Sequence, residues 1–312
     1  MLTVGLIGAG RIGRVHASTI VQDEGSQLVA VADSVDENAK NLAKLYKVNP
    51  RSVDAIFEDN SIEAILIASS TDTHSDFIEK ASIAGKAILC EKPVDLSLAR
   101  AKRCLENTKS NEHSIMMGFN RRFDPNFVAL KNALDGGEIG TAELLSITSF
   151  DPAPPPIDYV KVSGGIFKDM MIHDFDMANF LYGELPKSVF VSASAIIDKK
   201  IGALGDYDTA VATLKYRDGR LAVIKNSRRA TYGYDQRIEV LGSKGLLQVQ
   251  NMVENSMVKS TEMGVESSKP EYFFLERYKS AYQNEWTAFV TAVKTKTPMP
   301  VSLSDGIAAL AI

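Results

Sequence analysis

The pattern Gly8-Ala9-Gly10-Arg11-Ile12-Gly13 limits the fold of this chain more than any other part of its sequence. It directly follows an apolar stretch at residues 3–7 and opens a helical pattern that begins near Arg11. Glycines at these positions allow a tight turn and a close backbone approach, and the helix N-terminus offers free N–H groups and a positive dipole to a pyrophosphate. The order of strand, glycines and helix predicts the first turn of a dinucleotide-binding domain.

A single acid after the second predicted strand indicates which dinucleotide binds. Asp33 ends the apolar stretch at residues 28–32 and lies 20 residues after Gly13, the distance expected for a ribose-binding carboxylate. Such a carboxylate accepts hydrogen bonds from the ribose 2′-hydroxyl and repels a 2′-phosphate. No Arg or Lys stands among the next three residues. We therefore expect NAD rather than NADP, the alternative being a glycine-rich turn with an incidental acid.

The order of apolar stretches predicts two domains of different architecture. Five short stretches alternate with helical patterns in the first part of the chain, at residues 3–7, 28–32, 64–68, 87–90 and 114–118. This alternation is typical of a doubly wound parallel sheet. Longer β-type stretches follow at residues 142–150, 188–197, 209–216 and 221–227, with turn signals at residues 217–220 and 242–245. We predict an α/β chain, with a Rossmann domain over residues 1–122 and an α+β domain with an antiparallel sheet over residues 123–312.

Composition argues against several classes of partner. The net charge is −4 and no Lys/Arg cluster is present, so we expect neither nucleic acid nor an anionic membrane as a partner. The chain begins without a leader-like segment and contains no apolar run of about 20 residues, which predicts a cytoplasmic location. Cys90 and Cys104 lack CxxC spacing and are interpreted as buried reduced thiols.

Several polar residues follow predicted strands, at the sheet edge where ligands bind in doubly wound folds. Glu91-Lys92-Pro93 comes directly after residues 87–90, and a lysine there can reach both nicotinamide and substrate. The alternative for Lys92 is an ordinary solvated side chain. Ser69, Thr71 and His74 follow the stretch at residues 64–68, and we count them with Glu91 as candidate cofactor contacts.

The segment at residues 164–176 carries a candidate proton-transfer pair. If a helix begins near Phe167, Asp169 and His173 stand at positions i and i+4 on one face. A carboxylate beside an imidazole can orient it and raise its basicity. The alternative is a core histidine with acids at a cap or surface, as we expect for Asp174 and Asp176. A metal site needs three or four convergent ligands, which this spacing does not supply, so no metal is expected.

Four motifs in order resemble the Gfo/Idh/MocA oxidoreductases over nearly the whole chain, and within them the bacterial dehydrogenases of inositols. They are Gly8-Ala9-Gly10-Arg11-Ile12-Gly13, Glu91-Lys92-Pro93, Gly118-Phe119-Asn120-Arg121-Arg122-Phe123-Asp124, and the segment from Gly164-Gly165 through Asp169-Met170 to His173-Asp174. The resemblance implies a large, mostly antiparallel sheet in the second domain, through which such enzymes commonly form homotetramers. It also implies a catalytic group of Lys92, Asp169 and His173, with Arg122, Asp151 and Tyr234 as further contacts to polyol hydroxyls.

The resemblance implies NAD-dependent oxidation of one secondary hydroxyl of a cyclic polyol, with myo-inositol and its 2-ketone as the first candidates. Another inositol isomer, or an aldopyranose such as glucose, is the nearest alternative. A catalytically silent NAD-binding regulator is the alternative from another class. Either His173 or Lys92 is the immediate base. The chain ends inside a helical pattern at Ile312, whereas family members usually continue for another turn or more.

Overall fold

The computed structural model describes residues 1–312, which form two compact units. The first unit contains Met1–Phe123 together with Ala281–Ala311, and the second contains Asp124–Ser280. No helix in the chain combines the length and the apolar character needed to cross a membrane.

The first unit is built on a parallel sheet with helices between its strands. Its elements are β1 (Leu2–Ile7), α1 (Arg11–Gln22), β2 (Ser26–Ala32), α2 (Asp36–Tyr46), β3 (Asn49–Pro50), α3 (Val53–Glu58), β4 (Ala64–Ile67), α4 (His74–Ile83), β5 (Ala87–Glu91), α5 (Leu98–Thr108) and β6 (Ile115–Gly118). The strand order is β3-β2-β1-β4-β5-β6 and every pairing is parallel. This order is that of the dinucleotide-binding fold, which confirms the predicted Rossmann architecture.

The second unit contains a six-stranded mixed sheet. Its elements are α6 (Pro125–Asp135), β7 (Ala142–Phe150), α7 (Ile157–Ser163), α8 (Ile172–Tyr182), β8 (Ser188–Ser194), α9 (Lys199–Ala203), β9 (Thr209–Lys215), β10 (Leu221–Ser227), β11 (Asp235–Gly242), β12 (Gly245–Val249), β13 (Val258–Thr261), β14 (Gly264–Ser267) and α10 (Phe274–Arg277). The order of the large sheet is β12-β11-β7-β10-β9-β8, and only β7 and β10 pair in parallel. The prediction of a mostly antiparallel sheet is confirmed.

Both predicted hairpins of this sheet are present. Strands β9 and β10 pair antiparallel across residues 217–220, where Gly219 has a φ of +96° that other residues rarely adopt. Strands β11 and β12 pair antiparallel up to the turn itself, where Gly242 and Gly245 are direct partners. The turn chemistry therefore determined these pairings as expected.

The last two helices, α11 (Lys279–Thr295) and α12 (Leu303–Ala311), correct the predicted division of the chain. Residues 281–311 belong to the compact unit of the Rossmann sheet rather than to the second domain. The reason is apolar packing, because Trp286 is buried against that sheet and donates its Nε1–H to Ser26 Oγ over 2.9 Å. Trp286 is thus a core anchor of the first unit.

Candidate active site

The glycine-rich turn has the geometry of a pyrophosphate cradle. Gly8 has a φ of +103°, and an added Cβ would stand 2.2 Å from the carbonyl oxygen of Ala68. A Cβ on Gly13 would stand 1.9 Å from the carbonyl oxygen of Gly8, so both glycines are required for packing. A Cβ on Gly10 would meet nothing within 4 Å. Gly10 is therefore the position where the missing side chain leaves room for a ligand.

The start of α1 is available to an anion. Gly10 is the N-cap residue, makes no side-chain cap and is followed by no acid in the first turn. Arg11 and Ile12 open the helix, with Arg11 exposed. The first N–H groups and the positive end of the helix dipole consequently face the position that a pyrophosphate takes in this fold.

Asp33 is held in one orientation beside this turn. Its Oδ2 accepts the Ala9 N–H at 2.6 Å and its Oδ1 accepts the Val35 N–H at 2.8 Å. A carboxylate has lone pairs beyond these two bonds, so it can still accept from ribose hydroxyls. The residues of this edge fit a dinucleotide with an unmodified 2′-hydroxyl.

Lys92 lies at the carboxyl end of β5, as expected, in a turn supported by two buried histidines. His16 Nε2 on α1 bonds to Glu91 Oε1 over 2.8 Å, and Glu91 Oε2 accepts the Lys92 N–H at 3.3 Å. On the other side, His74 Nδ1 lies 2.8 Å from the carbonyl oxygen of Pro93. The two imidazoles thus hold the backbone on both sides of Lys92.

Burial, hydrogen bonds and neighbouring charges together determine the protonation states of the groups around Lys92. Burial opposes ionisation of Glu91, but the hydrogen bond from His16 and the charge of Lys92 outweigh it, and the pKa of Glu91 is lowered. Burial lowers the pKa of His74 despite its two carbonyl partners. A neutral His74 donates from one nitrogen only, and both of its nitrogens face carbonyl oxygens, Nδ1 that of Pro93 at 2.8 Å and Nε2 that of Ser69 at 3.1 Å. Glu91 is an anion and His74 a neutral donor beside the catalytic candidate.

The remaining candidates of the first unit lie at the same edge or near it. Ser69 Oγ is 2.7 Å from Thr73 Oγ1, and Thr71 opens the short turn that precedes α4. His74 is buried, so it supports the turn at Pro93 rather than lining an open surface. Arg122 is largely buried and pairs with Asp305 on α12 at 3.2 Å.

In the second unit, Asp169 is held by two side chains that fix its carboxylate. It lies in a π-helical turn, Phe167–Met171, that precedes α8, so the helix is not a regular α-helix from Phe167 as predicted. Tyr159 donates its hydroxyl to Asp169 Oδ1 at 2.7 Å. Both terminal nitrogens of Arg228 lie 3.4 Å from Oδ2. π-Helical turns recur at functional sites, where they redirect side chains.

His173 stands in the first turn of α8, and the next residue anchors that helix on the sheet. Asp174 accepts from Ser149 Oγ on β7 at 2.6 Å and from Asn226 Nδ2 on β10 at 2.7 Å. The prediction that Asp174 and Asp176 are cap or surface acids is wrong, since both are buried. The buried contacts of Asp174 fix the rotation of α8 about its own axis relative to the sheet. His173, the preceding residue, is half-buried.

The two other predicted substrate contacts differ in their accessibility. Asp151 follows β7 and is half-buried, with its N–H bonded to Ser227 O and its carbonyl oxygen to the Ala230 N–H. Tyr234 is buried and packs edge-to-face on Tyr278 at 5.9 Å. The role of both residues in substrate binding stays a prediction.

Comparison with known proteins decides the family. Residues 2–119 match the model of an oxidoreductase family with an NAD-binding Rossmann fold, and residues 127–248 match that of the GFO/IDH/MocA C-terminal domain. The chain belongs to the Gfo/Idh/MocA oxidoreductase family. The family predicted from the four motifs is confirmed.

Similar proteins within the family are named for inositols. The chain is 49% identical to Inositol 2-dehydrogenase of Rhizobium meliloti (strain 1021), covering 99% of this chain and 93% of that one. A myo-inositol dehydrogenase from Corynebacterium glutamicum is 40% identical with a TM-score of 0.95, covering 100% and 94%. The myo-inositol dehydrogenase of Lactobacillus casei, solved with NAD(H) and myo-inositol, is 26% identical with a TM-score of 0.90, covering 99% and 91%.

Sequence reasoning missed one residue of this family member's site. Arg228 stands beside Arg229 in the sequence, and two adjacent arginines usually lie on a solvated edge, but the exposure of Arg228 is 1%. The alternation of β10 contained a signal, since Asn226 and Arg228 continue the buried positions of Ala222 and Ile224. A buried arginine requires an acid partner, and that partner is Asp169.

We expect the Arg228→Met variant to lower kcat for polyol oxidation by about 10- to 100-fold, because Asp169 loses the cation that fixes its carboxylate. Arg229→Met is the matched control, since Arg229 is the exposed neighbour on the same strand end. Steady-state kinetics of both purified variants test this. Equal activities for the two would contradict a role of Arg228 in holding Asp169.

Proposed function

We propose that this protein is an NAD-dependent dehydrogenase that oxidises myo-inositol to its 2-ketone. The observation that carries the proposal is the presence of Lys92, Asp169 and His173 in a chain that is 49% identical, over 99% of its length, to an inositol 2-dehydrogenase. Lys92 belongs to the unit that carries the dinucleotide cradle, and Asp169 and His173 belong to the unit with the mixed sheet. We propose that the three residues serve one reaction.

The chemistry assigns separate tasks to these residues. The glycine turn and Asp33 would hold NAD, which would supply a hydride acceptor for the carbon that bears the reacting hydroxyl. His173 removes the hydroxyl proton, so that the C–O bond becomes a carbonyl as the C–H bond breaks. Lys92 stabilises the developing negative charge on the oxygen by charge and hydrogen bonding. Asp169, held by Tyr159 and Arg228, supplies a fixed negative charge to this proton-transfer group.

Isotope transfer tests which hydroxyl reacts. We expect myo-inositol deuterated on carbon 2 to pass its deuterium to NAD, and the product to be a ketone with two hydrogen atoms fewer than the substrate. Mass spectrometry of the reduced cofactor and of the product measures both. Transfer of protium only would show that another carbon is oxidised, and no product at all would favour a silent NAD-binding protein.

The choice of NAD over NADP is expected to depend on the charge of Asp33. The Asp33→Asn variant keeps the size of the side chain but removes the charge that repels a 2′-phosphate, so we expect the NADP to NAD ratio of kcat/KM to rise by about tenfold or more. Asp36→Asn, on an exposed acid of the first turn of α2, is the control. A wild-type enzyme that prefers NADP would refute the role of Asp33.

We also propose that the protein is a homotetramer that associates through the open face of the mixed sheet. Leu221, Leu144, Leu241 and Leu246 are successive cross-strand partners on β10, β7, β11 and β12. Their exposed fractions lie between 38% and 45%, and Phe190 on β8 is 73% exposed. A continuous exposed row of this kind is typical of a protein–protein interface.

The predicted cytoplasmic location stays a prediction.

Light scattering after size exclusion tests the assembly. We expect the wild-type protein to have the mass of four chains, and Leu241→Glu to shift it to dimers or monomers, because a charge would be buried unpaired in the interface. Ile83→Glu is the control, since Ile83 is 87% exposed but lies on α4 of the other unit. A wild-type monomer, or a Leu241→Glu tetramer, would contradict the proposal.

A further inference from the structure

Glu285 on α11 is a buried acid that the proposed reaction does not use. Its exposure is 0%, and neither Oε1 nor Oε2 has a hydrogen-bond partner within the protein. Buried polar atoms are nearly always bonded, and an orphaned pair on an ionisable group is costly. A group of this kind calls for a partner that is not a protein atom.

Glu285 lies within electrostatic reach of Glu91, the acid whose carboxylate accepts the Lys92 N–H. The charge that acts on Glu285 is that of Glu91, which also faces His16, Lys92 and His74. His16 bonds to Glu91 with Nε2, while its Nδ1 is buried without a partner. The ring of His16 packs edge-on against Tyr282, one turn before Glu285 on α11. His16, Glu91 and Glu285 are therefore neighbouring buried polar groups of the first unit.

The protonation states in this region are complementary. Burial, together with the negative charge of Glu91, raises the pKa of Glu285 well above its usual range. Glu285 is consequently a neutral acid, with one O–H donor and spare acceptors, while Glu91 is an anion. The two carboxyl groups do not bond directly, since neither oxygen of Glu285 has a partner. An internal water molecule needs two to four polar partners, and these buried atoms are of the kind that can supply them.

We propose that Glu285 is a positioning residue, which binds an internal water molecule and through it holds the Glu91–His16 pair that supports the turn of Lys92. Glu91 transmits this hold, because its Oε2 accepts the N–H of Lys92. The inference rests on the proposed function only in the task given to Lys92. The water site itself is independent of the substrate.

Two substitutions separate this role from simple packing. Glu285→Gln keeps a neutral group that donates and accepts, whereas Glu285→Met keeps the volume and removes both abilities. We expect Glu285→Met to lower kcat/KM by roughly tenfold through loss of a water-mediated hydrogen bond, and Glu285→Gln to restore most of this loss. Rescue by Glu285→Gln is the result that a loss of packing alone would not produce.

Two measurements do not depend on polyol turnover. The infrared difference between wild type and Glu285→Gln at neutral pH is expected to contain the C=O stretch of a protonated carboxylic acid. A high-resolution crystal structure is expected to contain a water between Glu285 and the Glu91–His16 pair, which is lost in Glu285→Met. If both hold while no polyol reacts, the proposed function fails and the water site stands.

Three results would overturn the inference. Infrared bands of a carboxylate alone at neutral pH would show that Glu285 is ionised. A crystal structure without the water would remove the link to Glu91. A Glu285→Met enzyme with wild-type kinetics, whose only change is a higher unfolding temperature at pH values above the unfolded pKa of a glutamate, would show that the acid is only a cost to stability. That last change is expected from packing alone, because a group with a raised folded pKa loses stability as pH rises above its unfolded pKa.

Discussion

The His173→Asn variant is expected to lose about 100- to 10,000-fold in kcat for myo-inositol oxidation, with little change in NADH affinity. His173 is the group proposed to take the hydroxyl proton, and an amide of similar size cannot act as a base at neutral pH. The cofactor residues lie in the other unit, so binding of NADH should persist. Stopped-flow or steady-state kinetics give kcat, and fluorescence titration gives the affinity for NADH.

The control for His173 is another histidine of the same chain. His113 is exposed and follows α5, outside both predicted sites, so His113→Asn should retain wild-type kcat. A His173→Asn enzyme with normal turnover would remove His173 from proton transfer. Lys92 would then be the immediate base, which is the alternative that the residues leave open.

The second large effect is expected at Lys92. Lys92→Met should lower kcat by about 100- to 1,000-fold, because the developing alkoxide loses its cationic hydrogen-bond donor. The aliphatic part of the side chain is retained, so the turn held by His16 and His74 should remain folded. Unfolding temperature and kcat, measured on the same preparation, distinguish a chemical from a structural effect.

Lys102 offers a matched control for this substitution. It is an exposed lysine of α5 in the same unit, and Lys102→Met should change neither kcat nor stability measurably. If Lys92→Met and Lys102→Met behave alike, Lys92 has no part in the reaction. A loss in Lys92→Met that is accompanied by unfolding would instead point to a role in supporting the turn.

The order and type of most elements could be predicted from the sequence because their determinants are local. Strand β4 is a short apolar run that is buried along its whole length, and a parallel strand covered on both faces has this composition. The hairpin at Asp218-Gly219 follows from turn chemistry. The glycine turn followed by Asp33 predicted the cofactor edge by spacing alone.

The remaining features depend on packing between distant parts of the chain. Nothing local in residues 281–311 tells which sheet their apolar faces cover, so their place with the Rossmann sheet could not be foreseen. Arg228 stands beside an exposed arginine, and only the position of Asp169 explains its burial. The buried state of Glu285 follows from the packing of Tyr282 and Trp286 on the first unit, which no pattern in the sequence reports.

The catalytic candidates illustrate the same difference. Asp169 and His173 were paired by helical spacing, and the structure adds that Asp169 lies in a π-helical turn with Tyr159 and Arg228 on its carboxylate. Spacing predicts which side chains share a helix face, but not a change of helix type within the segment. One partner of Asp169 comes from α7, 10 residues away, and the other from the end of β10, 59 residues away.

The most direct test of the central claim is reduction of NAD by the purified protein with myo-inositol, scyllo-inositol, D-chiro-inositol and glucose offered in parallel, and with NADP as the cofactor control. We predict that NADH forms fastest with myo-inositol and that NADP supports little reaction. Preference for another isomer or for glucose would contradict the substrate. Tight NADH binding with every polyol inert would contradict the claim that this protein is a dehydrogenase of cyclic polyols.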